Sequence, residues 1–377
     1  MLDQNTACSS DRWIAERTKL FDSSGIREVF NLAKQLKNPI NLSIGQPDFD
    51  VPPAVKASMI RAIEDGKNGY ALTQGIMPLQ QKLQKEIDEQ FGHSDRKVFV
   101  CSGTSGGLVL TFMSILNDGD EVIFFDPFFV MYDSLIRLLG GVPVPISNYP
   151  DFRIDLEKIK EKVTDKTKMI LVNSPSNPTG VCVDENELKA VADFAAERGI
   201  CLVSDEIYSK FVYDQDHISP ASWNENTIVI DGFSKSYAMT GHRVGYVHGP
   251  TPLIDTMIKL QQYTFVCAPQ PAQWAAVDAM DFDVTPLVDE YRGKRDRMID
   301  GLKDHYEIAK PGGAFYIFPK LPDGVTGKEF FQRAVDNNLL IIPGNIFSHH
   351  DSHFRISYAA SDENLDRGIE ILKSIAS

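Results

Sequence analysis

Apolar residues in this chain gather into short, mostly unbroken runs that end in polar or turn residues. Runs at 98–101, 121–126, 142–147, 168–174, 200–205, 227–233 and 244–249 predict seven strands. Most are continuous rather than alternating, the pattern of strands covered on both faces. Helical spacing of apolar positions fills the gaps between them, at 106–116, 129–139 and 185–196. Strand–helix–strand alternation of this kind predicts an α/β fold with a mostly parallel sheet.

The last third changes character. Residues 284–302 are charged and helical, and three strand candidates follow at 314–321, 339–343 and 354–359 with helices between. These elements predict a smaller α+β domain appended to the main sheet. A helix at 26–36 precedes that sheet and is placed to pack with it. No internal repeat, low-complexity segment or long flexible linker interrupts the chain.

Composition narrows the function classes. The 377 residues carry 38 Lys+Arg against 52 Asp+Glu, a formal net charge of −14, with 43% hydrophobic and 24% charged residues. That is ordinary globular composition, long enough for two or three domains. The acidic balance argues against nucleic acid or an anionic membrane as partner, since both call for basic surfaces. Five cysteines (Cys8, Cys101, Cys182, Cys201, Cys267) form no CxxC pair, and the flanks of Cys101 and Cys201 read as buried strand. The first residues show no secretory pattern, and no apolar run nears the roughly 20 residues of a membrane span. The expectation is a soluble, cytoplasmic protein.

Candidate chemistry lies at the strand ends, because open α/β sheets bind ligands beyond the carboxyl ends of their strands. After 98–101 comes Ser102-Gly103-Thr104-Ser105-Gly106-Gly107 at a helix start, an anion cradle or a plain glycine turn. After 168–172 comes Asn173-Ser174-Pro175-Ser176-Asn177-Pro178-Thr179-Gly180, an irregular loop or a rigid turn. After 200–203 stand Asp205 and Tyr208, a functional pair or a helix cap. Lys235 follows 227–230, with Arg243 eight residues later. A lysine in that apolar, glycine-flanked setting loses its proton more readily than one in water. Together these groups are what a pyridoxal phosphate site needs: an amine, a carboxylate for the ring nitrogen and a phosphate cradle.

Residues 41–359 resemble the class I/II aminotransferases, fold-type-I pyridoxal phosphate-dependent enzymes. The resemblance rests on NLSIGQPDFDVP, NGYALTQGI, DPFFVMY, NSPSNPTG, SDEIYSKFVYD, FSKSYAMTGHRVGY, PGGAFYIFP and FRISYA, in that order. It implies a large coenzyme-binding domain at 46–283 and a small domain built from 1–45 and 284–377. It implies Lys235 as the Schiff-base lysine and proton carrier, and Asp205 as partner of the pyridine nitrogen. Tyr208 and Asn177 match the residues that hydrogen-bond the coenzyme's phenolic oxygen. Gly103, Thr104, Ser105, Ser234 and Arg243 fall in the coenzyme site, mostly around its phosphate, and Phe129 where the family stacks an aromatic ring. Tyr70 matches a residue that reaches the neighbouring subunit's phosphate, which implies a homodimer. Arg355 matches the fork for the substrate α-carboxylate, with Gly45 and Asn177 beside it.

The implied activity moves an amino group from an L-amino acid to a 2-oxo acid, with 2-oxoglutarate as acceptor, in a ping-pong scheme. The donor is aspartate, an aromatic amino acid or a broad range. Ser105 stands where some aspartate-specific bacterial relatives carry Lys, which argues against strict aspartate specificity. The stretch 24–30 resembles the corresponding segment of aromatic and alanine aminotransferases. The alternative is a β-eliminating C–S lyase on the same scaffold. His349, His350, Asp351 and His353 crowd into five residues, but a solvated polar loop is expected rather than a metal site. Arg292, Lys294, Arg295 and Arg297 are expected on a solvated helix face, and 124–132, apart from Phe129, in core and subunit contact.

Overall fold

In the computed structural model, which describes residues 13–22, 25–34 and 36–376, twelve strands and twelve α-helices alternate along the chain. The main sheet takes β2 (Lys97–Cys101), β3 (Glu121–Asp126), β4 (Val142–Ser147), β5 (Thr167–Asn173), β6 (Cys201–Asp205), β7 (Ile228–Gly232) and β8 (Gly245–Gly249). Their spatial order is β2-β8-β7-β6-β5-β3-β4. Every pairing is parallel except those of β8, which runs against both neighbours. The expected α/β architecture with a mostly parallel seven-stranded sheet is therefore observed.

The unbroken apolar runs have a direct cause. Met169 and Leu171 of β5 face one layer with Leu108 and Phe112 of α4 (Gly103–Ile115) and Met257 of α8 (Thr251–Tyr263). Ile170 and Val172, the alternate residues, face Ile159 of α6 (Leu156–Lys162) and Leu188 of α7 (Glu185–Arg198). With helices on both faces, neither side of the strand meets water. The helices are bounded by local signals: Asp184 caps α7 through its side chain, and Gly199 ends it in the left-handed conformation.

Two small sheets complete the molecule. β1 (Ile40–Asn41) pairs in parallel with β10 (Leu339–Leu340), tying a segment from before the main sheet to the last third of the chain. β11 (Ile342–Pro343), β12 (Phe354–Ser357) and β9 (Tyr316–Ile317) form an antiparallel sheet in that order. The expected strand 314–321 is thus only two residues long, and Ala314 at its start is left-handed with φ 54°. The expected strand 339–343 divides at Ile341, its two halves joining different sheets. α1 (Gly25–Ala33) lies against this part, with Val29 in a cluster with Phe318, Leu340 and Phe347. Cys8 and Ser24 fall outside the described residues.

Two surface expectations are corrected. α10 (Thr285–Leu302) buries Lys294 and Arg295, which are 5% and 1% exposed. Lys294 pairs with Asp48 and Glu290, and Arg295 with Asp214 and Asp296, so each charge enters the interior with partners. Only Arg292 and Arg297 sit on the solvated side. His353 is also buried, stacked on Phe318 with centroids 5.1 Å apart, and burial pushes its imidazole down to about 4. Its neighbours His349 and His350 are exposed, as a polar loop requires. Among the described residues no group of side chains could hold a metal ion, and no helix is long and apolar enough to cross a membrane.

Candidate active site

Sheet register brings the polar strand ends to one edge. Cys101 and Gly232 both pair with Gly245, Ile230 with Asp205, and Asp205 with Asn173. The residues that follow or end these strands line a cavity of about 300 Å³. Its other wall comes from the small sheets and from the segment after β1. Gly45, Thr104, Ser105, Phe129, Asn177, Asp205, Tyr208, Ser234, Lys235, Arg243 and Arg355, expected from dispersed motifs, all line it.

The floor is acidic and buried. Asp205 is 3% exposed and accepts a hydrogen bond from Tyr132 Oη at 2.7 Å. Burial raises its carboxyl to about 6, although the Tyr132 hydroxyl opposes that rise. Asn173, at the end of the neighbouring strand, donates from Nδ2 to the Asp205 carbonyl and accepts from the Asn177 amide through Oδ1, both at 2.9 Å. One side chain thereby fixes the acid-bearing strand and the loop beside it.

Glycine contacts and a helix end shape the rim. α4 starts at Gly103, three residues before the sequence reading, so Thr104 and Ser105 occupy its first turn rather than a preceding loop. Its early start depends on glycines: a Cβ on Gly245 would lie 2.7 Å from the Thr104 amide, and one on Gly107 2.8 Å from Val247. Gly103 itself is left-handed with φ +67°, and a Cβ there would lie 2.5 Å from the Arg243 guanidinium. Arg243, also left-handed, is held by donation from Nη1 to the Thr240 carbonyl at 3.0 Å. A helix N-terminus, two hydroxyls and a guanidinium make a cradle for a dianion.

Across the cavity, Lys235 Nζ donates to the Gly45 carbonyl at 2.5 Å. Burial, then the positive charges of Arg355 and Arg243, push this amine down to about 8. Arg355 is 1% exposed; Nη1 donates to Asn177 Oδ1 and Nη2 to the Ser43 carbonyl, each at 2.9 Å. The rings of Tyr316 and Phe347 lie 4.5 Å from its guanidinium carbon, and among the described residues its Nε has no hydrogen-bond partner and its charge no paired carboxylate. A buried guanidinium in that setting favours an incoming anion. Tyr208 Oη meets Tyr316 Oη at 2.9 Å.

Pyridoxal phosphate fits this donor set. Its phosphate matches the Gly103–Arg243 cradle, its ring nitrogen the otherwise unneutralised Asp205, and its aldehyde the amine of Lys235. Tyr70, expected at a neighbouring subunit's phosphate and not at its own, is 86% exposed and does not line the cavity of its own chain. Tyr132, expected in core or subunit contact, instead ends in the site, as do Asn173, expected only as the first residue of an irregular loop, and Tyr316, which had no expected role. Asn173 carried a signal as the last residue of an apolar strand. Tyr132 and Tyr316 carried none that sets them apart from the buried aromatics beside them, Phe128 and Phe315.

Residues 37–372 match the family model described as aminotransferase class I and II. A probable aspartate aminotransferase of Methanocaldococcus jannaschii is 39% identical over 96% of this chain and 99% of its own length. Aromatic-amino-acid aminotransferase 2 of Thermococcus litoralis is 32% identical over 96% of this chain and 98% of its own. The solved structure of Thermus thermophilus aspartate aminotransferase with maleate superposes with a TM-score of 0.91 at 32% identity, over 96% of this chain and 99% of that one.

Proposed function

The chain belongs to the class I and II aminotransferases, fold-type-I enzymes that depend on pyridoxal phosphate, and we propose how its own residues divide that work. The carrying observation is that the amine of Lys235, the carboxyl of Asp205 and the guanidinium of Arg355 face one cavity. When bound, the coenzyme supplies an aldehyde that takes up the amino group and a ring that withdraws electrons from the substrate Cα–H bond. With the coenzyme bound, Asp205 would hold positive charge at the ring nitrogen, and Gly103, Thr104, Ser105, Ser234 and Arg243 would hold the phosphate end. Phe129 would supply an aromatic wall for the ring, and Tyr208 and Asn177 would donate to its phenolic oxygen.

Lys235 carries the proton between substrate Cα and the coenzyme side. An amine near 8 is divided between neutral and charged forms around neutral pH, which suits a group that must accept and return a proton. Arg355 clamps the α-carboxylate through its fork, with Gly45 and Asn177 beside it, and so presents Cα to Lys235. The scheme is ping-pong because donor and acceptor both need Arg355 and occupy the site in turn. The acceptor is 2-oxoglutarate. The donor range is broad and includes aspartate and aromatic amino acids, the substrates named for relatives in both groups.

The same reading divides the chain into a coenzyme domain at 46–283 and a small domain from 1–45 and 284–377. It also makes the enzyme a homodimer. Tyr70, Leu72, Tyr263, Phe265 and Val266 are exposed. Gln261 donates to the Thr73 carbonyl, fastening the Tyr70 loop to the end of α8, and Phe265 lies behind the first turn of α4. An apolar face beside the phosphate cradle suits a second copy that receives Tyr70 at its own cradle.

The test is a panel of amino donors with 2-oxoglutarate, measured as glutamate formed. Lys235→Ala is expected to lose on the order of 10³-fold or more of the rate. Transamination retained by that variant overturns the assignment of Lys235. Oxo acid and ammonia released without any acceptor would point to the C–S lyase instead.

A further inference from the structure

Tyr316 has no part in the assignments above, yet it touches three of the groups they use. It stands on β9 opposite Ser357 of β12, so Tyr316 and Arg355, two residues before Ser357, project from the same face of the small sheet. Its ring lies under the Arg355 guanidinium at 4.5 Å, and its hydroxyl meets Tyr208 Oη at 2.9 Å. The same hydroxyl crowds the Gly45 backbone: a Cβ on Gly45 would lie 2.7 Å from it. Phe315 and Phe318 beside it show that plain aromatic rings serve this core, and a hydroxyl here gains nothing from packing. A buried hydroxyl is tolerated because it is bonded, and this one is bonded toward the cavity.

We propose that Tyr316 is a positioning residue that couples the carboxylate fork at Arg355 to the hydroxyl of Tyr208. The inference rests on the roles given to Arg355 and Tyr208 above. Tyr208 has one proton. If that proton is directed at the coenzyme oxygen, the bond between the tyrosines requires Tyr316 to donate and Tyr208 to accept. Accepting a hydrogen bond makes Tyr208 a stronger donor in turn. The Arg355 charge over the Tyr316 ring strengthens the first donor in this chain, and the ring gives the guanidinium a flat surface that holds its plane. Substrate carboxylate at Arg355 and negative charge at the phenolic oxygen are thus linked through one side chain.

Two variants of the holoenzyme separate the halves of this role. Tyr316→Phe keeps the ring and removes the donor. It should lower kcat about 3- to 10-fold, the loss of one hydrogen bond, and leave KM for the amino acid within about twofold. The pH midpoint of the coenzyme's visible absorbance should move up by about 0.5 to 1 unit, because a weaker donor at Tyr208 stabilises the anionic oxygen less. Tyr316→Leu removes the ring as well and should raise KM by about tenfold or more. An unshifted midpoint in the Phe variant overturns the link to Tyr208. An unchanged KM in the Leu variant overturns the support of Arg355. A merely structural tyrosine would lower thermal stability in both variants and move neither the midpoint nor KM selectively. Wild-type transamination in the same assays keeps the parent assignment standing whichever way the variants fall.

Discussion

Tyr132 donates a 2.7 Å hydrogen bond to Asp205, across 73 residues of sequence and within a wholly buried pocket floor. The bond favours the charged carboxylate, against the burial that holds this carboxyl at about 6. Tyr132→Phe removes the donor, so the Asp205 pKa rises further. The acidic limb of the kcat/KM profile should move to higher pH, with a loss of about 3- to 10-fold near neutrality. A pH–rate profile that superposes on wild type would remove Tyr132 from the site's electrostatics.

Coenzyme-free protein should show the cost of that buried acid. A folded-state value near 6 against the usual 3.8 means the native protein holds this proton more tightly than the unfolded chain does. The contribution of Asp205 to stability is therefore greatest below about pH 4 and is lost as pH rises toward 6. Asp205→Asn carries no such charge, so its Tm relative to wild type should climb across that window. The difference is on the order of 2–3 kcal/mol at full ionisation. Thermal unfolding of both coenzyme-free proteins at a series of pH values provides the check, and a pH-independent difference would contradict it.

Gly103→Ala is expected to weaken coenzyme binding by about tenfold, the scale of one charge-assisted hydrogen bond. A Cβ at this left-handed position would strike the Arg243 guanidinium and push it from the cradle. The backbone itself adds about 1 kcal/mol of strain. A fluorescence titration of coenzyme-free protein with pyridoxal phosphate measures the change, and inorganic phosphate should compete less well against the variant.

Arg355→Lys keeps the charge and loses the fork. It should leave coenzyme content unchanged and raise KM for amino and oxo acid alike by about 10- to 100-fold. The buried Asn177 and Ser43 acceptors would also lose donors fixed by the planar group. Steady-state kinetics for both substrates test this, and a change confined to one of them would contradict a shared carboxylate site.

The main sheet was legible in the sequence because its signals are local. Continuous apolar runs such as 168–172 are long enough to report burial on two faces, and Asn173, Asp205 and Arg243 sit at or just beyond strand ends where any open sheet places ligands. The small sheets were read less well. Tyr316–Ile317 and Ile342–Pro343 are two-residue strands whose extent is set by partners, not by their own pattern. The basic run on α10 shows the same limit. Spacing marked Lys294 and Arg295 as charged helix, but only packing beside Asp48 and Asp214 decides that they are buried.

The sequence by itself thus determined which chemical groups this protein has and the strands that carry them, because both depend on residue type and short-range periodicity. Tertiary structure decided which groups meet. Arg355 reaches Asn177 across 178 residues, and Lys235 reaches Gly45 across 190. Tyr132 and Tyr316 turn toward the cavity while Phe128 and Phe315 beside them turn into the core. Those outcomes follow from sheet register and from the docking of the small sheets on the large one. Both are properties of pairings between distant segments, and no local window of the chain contains them.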